Sequence, residues 1–239
     1  MKKGIFYKGV LLILFLTLVG CVCTIIETNG VPPKEEYPLW GDIALETFDV
    51  ASSYNDLNWM SVQPAEATDY WELWESGYDQ PLAKVGEKCS KATNVGDCVI
   101  AFDALRPNTG PSDPLCNSYL CRSVYIRSNQ SDNNRLWDTT DKLKDFLGTI
   151  NSKEEAILLA RGYQFHVVPS EIKFGGGFRE IDGEYELIAL KMVSAPDSIK
   201  RYLIRIKPSG ELIVLREQDY KLQYLAPRTV CGTIFDSLL

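Results

Sequence analysis

The chain has 239 residues, 45% of them hydrophobic, enough for one sizeable core with or without a small extension. Acids outnumber bases, 32 to 25, for a net charge of −7. That balance argues against nucleic acid and anionic bilayer surfaces as partners, because both reward clustered Lys and Arg.

The chain opens with Lys2, Lys3 and Lys8 around the start of an uncharged apolar run, Val10 to Val19. A basic start, an apolar middle and small residues at a cleavage point make a secretory signal peptide. The run falls short of the roughly 20 apolar residues that a membrane-spanning helix needs. It closes on Leu18-Val19-Gly20-Cys21. This motif resembles the lipobox of bacterial lipoproteins. The resemblance implies that residues 1–20 are a lipoprotein signal peptide. It also implies a diacylglyceryl group on the Cys21 thiol, cleavage before Cys21, and acylation, palmitate included, of the new amino terminus. Two or three acyl chains hold a protein stably at a membrane, where one is marginal. The membrane is thus a partner through the lipid anchor. Val22, with no Asp after Cys21, resembles outer-membrane rather than inner-membrane sorting within the cell envelope. Cleavage would leave 219 residues and take the net charge to −10, since three lysines and no acids are removed. Cys23 stays open between a second acylation site, a disulfide partner and a passenger.

Residues 21–37 read as a flexible tether, with Pro32-Pro33 and Lys34-Glu35-Glu36 giving a stiff, polar segment. Residues 38–85 are rich in aromatics: Trp40, Phe48, Tyr54, Trp59, Tyr70, Trp71, Trp74 and Tyr78. On a helix, Trp71 and Trp74 would share a face. They are candidate ligand-facing aromatics for a glycan or peptide, weighed against packing onto the main domain, which the large burial energy of aromatics favours. The interleaved acids Asp56, Glu66, Asp69, Glu72, Glu75 and Asp79 read as a solvated face, because no spacing pairs two of them across a cleft.

Residues 86–239 form the main domain. Cys89 and Cys98 flank Asn94-Val95-Gly96-Asp97, which has turn chemistry, and Val99 to Leu105 reads as a strand. Cys116 and Cys121 sit near the start of a second strand, Tyr119 to Ser128, and Cys231 lies near the C-terminus. In an exported chain these five are disulfide candidates. The six cysteines other than Cys21 allow 15 connectivities, which spacing does not resolve. A zinc site is disfavoured, because only the second pair has ligand spacing.

Thr139-Thr140-Asp141 caps a short helix, Lys142 to Leu147, stopped by Gly148. Ser152 with Glu155 has capping-box spacing for the next helix, which ends at Gly162. Gln164 to Val168 is strand-like, and Phe174-Gly175-Gly176-Gly177-Phe178 is a glycine hinge. Asp182-Gly183 is a hairpin dipeptide, followed by Glu184 to Val193, apolar on both faces like a central strand. Tyr202 to Ile206, the turn Lys207-Pro208-Ser209-Gly210 and Leu212 to Arg216 complete an antiparallel meander. The fold class is α+β: a short helix pair packed on a β-meander, with an aromatic-rich N-terminal extension and disulfides. Glu154-Glu155-Ala156, Tyr185-x-Leu187 and Tyr202-x-Ile204-x-Ile206-x-x-x-Gly210-x-Leu212 are together similar to a PepSY-like module over residues 152–217. That resemblance implies a small helix-and-sheet unit associated with restraining peptidases.

No motif marks catalysis. His166 is the single histidine and sits in an apolar run, where a structural role outweighs a base or a metal ligand. There is no G-x-S-x-G, P-loop, dinucleotide fingerprint or EF-hand. The expected protein is therefore non-enzymatic, with no cofactor and no metal: a lipid-anchored envelope protein with a binding or structural role. A PepSY-like modulator of an envelope peptidase and a glycan-binding or glycan-processing protein are the alternatives.

Overall fold

The computed structural model describes residues 22–25, 40–41, 43–51, 56–107, 122–168, 172, 175–194, 198–220 and 229–232. The lipobox, Cys21, Cys116, Cys121 and most of the expected tether lie outside the described residues. In chain order the strands are β1 (Val22–Ile25), β2 (Asp49–Val50), β3 (Tyr70–Glu75), β4 (Ala83–Gly86), β5 (Val124–Gln130) and β6 (Asn133–Trp137). They continue with β7 (Gly177–Ile181), β8 (Glu184–Ser194), β9 (Ser198–Ile206), β10 (Leu212–Tyr220) and β11 (Thr229–Gly232). The α-helices are α1 (Val95–Ala104), α2 (Thr140–Leu147) and α3 (Lys153–Gly162).

One compact unit runs from Pro38 to Lys221, the other joins Met1–Tyr37 to Leu222–Leu239. In the second, β1 and β11 pair antiparallel, with Cys23 opposite Cys231.

The larger unit is α+β, with two antiparallel sheets of order β10-β9-β8-β7-β2 and β4-β3-β5-β6. The helix pair forms where the caps predict. Thr139 Oγ1 accepts from Lys142 N, Ser152 Oγ accepts from Glu155 N, and Gly148 ends α2 at φ +64°. Every residue of α3 from Glu154 to Arg161 is buried. A helix covered all round must have neighbours on both sides. α3 contacts β5 of one sheet and β8 of the other, and one core cluster runs from Trp71, Leu73 and Ile126 through Ile157, Leu158 and Leu159 to Leu187 and Ile204. The five-stranded sheet is covered on its far face by Phe48 with Trp40, Ile43 and Leu45. Hence β8 is buried on both faces, as its sequence predicts: Leu187 and Ala189 on one, Ile188 and Leu190 on the other. Asp182 and Gly183, at φ +53° and +77°, make the tight turn from β7. Gln164 to Val168 contributes only a single bridge, His166 to Leu190, and Gly177 enters β7 directly.

Several expectations need correction. Val99–Leu105 is not a strand but the body of α1, and the supposed turn before it is its first turn. Asn94 Oδ1 accepts from Asp97 N at 3.3 Å, and only Cys98 and Phe102, four apart, are buried, while Val95 and Ile100 stay exposed. That is a helical period, laid on the outer face of the four-stranded sheet beside Tyr70. Trp71 and Trp74 lie on a strand and point to opposite faces. The aromatic segment packs into the main fold, as the burial energy of its rings favours: β3 pairs with β5 along its whole length.

Candidate functional site

The six residues Tyr70-Trp71-Glu72-Leu73-Trp74-Glu75 of β3 carry an acid on each face of the sheet. On the outer face, Glu72 lies opposite Arg127 and takes its Nη2. It also accepts from Tyr70 Oη at 2.5 Å and Trp74 Nε1 at 2.8 Å, and Lys88 Nζ stands 3.6 Å away. Burial alone would push the Glu72 carboxyl up, but hydrogen bonds from Tyr70, Trp74 and Arg127 outweigh it and hold it below the ordinary Glu value. Burial and the neighbouring carboxylate push the Tyr70 phenol up. Trp74 stacks on Tyr125 with ring centroids 6.2 Å apart, and the Arg127 guanidinium lies 4.5 Å from the Trp74 ring. On the inner face, Glu75 takes Arg161 Nη2, and Arg161 also contacts both ring nitrogens of His166, Nη1 to Nε2 being 2.7 Å. Burial pushes the Glu75 carboxyl up against the opposing pull of Arg161 and Arg122. Glu72 and Glu75 thus depart from the expected solvated face, because the strand alternation sends one into each buried layer.

Glu154 and Glu155 on α3 are also internal. Glu154 accepts from Asn58 N at 3.3 Å and Ser61 Oγ at 3.0 Å; Glu155 accepts from Gln63 N at 2.9 Å and Asn151 N at 2.6 Å. These acids latch the 58–63 segment onto the first turn of the helix, where carboxylates are favoured. Among the described residues, no group of three His, Cys, Asp or Glu is gathered to hold a metal.

Cys89 and Cys98 form a disulfide that fastens the turn after β4 to α1. Cys231 sits on β11 opposite Cys23. Trp71 is 2% exposed and packs edge-on against Phe146, so it faces the core rather than a ligand. Trp74 is half-buried and held by Glu72 and Tyr125.

An open groove lies elsewhere, along β6. Two adjoining hollows share Glu66, Arg135 and Trp137; the narrower has a volume of about 10 Å³, room for a single water, and the wider, about 650 Å³, is open to solvent. Trp137 lines both, packed on Phe146 with centroids 5.4 Å apart and fixed by Nε1 donating to Ser128 Oγ at 2.8 Å. Arg135 lies over the Trp137 ring, 5.8 Å from its centroid, and pairs with Glu66. Gln130 and Asn133 add amides on one side, and Lys144, Asp145 and Ser209 line the wider hollow. The lining combines one aromatic ring with amides, hydroxyls and an ion pair, a set of groups that suits a polar ligand lying along the open hollow. Sequence alone did not single out Trp137. Nothing in Arg135-Leu136-Trp137 tells which ring a hollow will have in its lining. The chain matches no known protein family, no characterised protein and no solved structure.

Proposed function

We propose that the chain is a bacterial envelope lipoprotein, anchored through acyl chains on Cys21 and sorted to the outer membrane, whose folded part binds an envelope glycan without turning it over. The observation that carries the anchor is Leu18-Val19-Gly20-Cys21 at the end of an uncharged run. Two features support non-catalytic binding. The acids Glu72, Glu75, Glu154 and Glu155 are committed to holding the fold together, and the groove offers an aromatic edge and amides, with its Glu66 carboxylate engaged by Arg135 and Asp145 exposed beside Lys144. Mass spectrometry of the mature amino terminus tests the anchor; an unmodified chain starting elsewhere than Cys21 removes it. Calorimetric titration with peptidoglycan fragments and lipopolysaccharide oligosaccharides tests the groove. Trp137→Ala should weaken binding about tenfold, as the loss of one ring contact implies. Equal binding by wild type and variant, or release of a shortened glycan, overturns the reading.

A second reading is a PepSY-like modulator of an envelope peptidase. It is favoured by α3 packing on the antiparallel β8–β10 meander within residues 152–217. Failure of the purified protein both to capture a peptidase from envelope extract and to slow its proteolysis would discard it.

A further inference from the structure

We infer that Cys23 and Cys231 form a disulfide that joins the two ends of the chain beside the anchor. They are direct register partners on the antiparallel pair β1 and β11. Directly opposed residues in such a pair have Cα atoms about 4.5 to 5.5 Å apart, inside the roughly 4.4 to 6.8 Å window that a disulfide spans. Cysteine parity points the same way. Of seven cysteines, Cys21 carries the lipid in the proposed function, and Cys89 and Cys98 are already joined. Closing Cys23 onto Cys231 leaves Cys116 and Cys121 as the remaining pair, with no thiol left over. In forming the bond each thiol loses its proton and the two sulfurs join, releasing two electrons. These pass by thiol–disulfide exchange to the disulfide of an envelope oxidoreductase, which leaves as a dithiol. The oxidising compartment and the parity argument rest on the proposed function; the register of β1 and β11 stands without it. The bridge closes residues 23–231 into one covalent ring, two residues along the chain from the lipidated position.

The test uses the full chain, solubilised in detergent from membranes of an expressing bacterium and equilibrated in glutathione redox buffer. Remaining thiols are alkylated and the protein is digested with trypsin without reduction. The peptide ending at Lys34 should be found linked to Thr229–Leu239, and in Cys23→Ser the Cys231 thiol should become alkylated while Cys89–Cys98 stays closed. Cys231 linked to the peptide that carries Cys116 and Cys121 would overturn the pairing. So would alkylation of both Cys23 and Cys231 with Cys89–Cys98 intact. The mass of the peptide ending at Lys34 reports acylation separately. A linked but unacylated peptide removes the anchor and keeps the bridge.

Discussion

Glu72 gathers Tyr70, Trp74 and Arg127 around one carboxylate that is 2% exposed. Removing its charge strands a buried guanidinium, so Glu72→Gln should cost about 3 kcal/mol at neutral pH. Because the folded carboxyl titrates below the ordinary value of 4.5, its stabilisation is complete above that value and is lost as pH falls through the folded pKa. The gap between wild type and Glu72→Gln, measured by urea unfolding, should therefore narrow from pH 7 to about pH 3; an unchanged gap would mean that the charge is not what holds the cluster. Glu186 has the same sign, its burial outweighed by hydrogen bonds from Arg205 and Arg179. Glu75 has the opposite sign, since burial raises it and its contribution fades as pH rises. None of this was legible in the sequence. Tyr70 to Glu75 reads aromatic, aromatic, acid, apolar, aromatic, acid, so neither face of the strand looks polar or apolar. The partner that decides Glu72, Arg127, lies 55 residues away.

At the level of elements, the caps were readable because they are local. Thr139, Ser152 and Gly148 act within four residues of themselves, and Asp182-Gly183 sets its own turn. α1 was not readable, because its apolar run is short and its helical period shows only once Cys98 and Phe102 are known to face Tyr70. The Cys89–Cys98 bridge spans nine residues and ties this helix to the turn after β4. Replacing both cysteines by Ala should lower stability by roughly 2–3 kcal/mol on the chain-entropy account. Native-state hydrogen exchange locates the loss: amides of Val95–Ala104 should exchange faster by a larger factor than those of Lys153–Gly162. Equal acceleration in both helices would mean that the bridge acts on the whole unit rather than on α1.

Across the whole molecule, α3 is the shared wall of two sheets, and its side chains are packed from both sides. Leu159 is 0% exposed and approaches Gly210 at the β9–β10 turn. Leu159→Ala should cost about 2–5 kcal/mol, at the upper end because two sheets cannot both close on the cavity. Chemical denaturation should show a single transition at lower denaturant, whereas two separated transitions would mean that the sheets hold together independently of α3. The helix pair and the β8–β10 meander were legible from pattern. The four-stranded sheet was not, because β3 and β4 precede β5 and β6 by a long stretch that includes α1, and no local signal pairs them. The Trp137 groove is built on that sheet and was hidden for the same reason. The strand β10 has a consequence of its own. It stands at the rim of the five-stranded sheet with nine residues, long enough to template a strand from another copy. Its register shifts between Val214 and Arg216, and Glu217 and Asp219 share Lys200 along it. The break in donor spacing and the mixed charges blunt that rim against fibril-like growth. A protein crowded into the plane of a membrane by the proposed lipid meets its own copies often, and there such a guarded rim keeps neighbours separate.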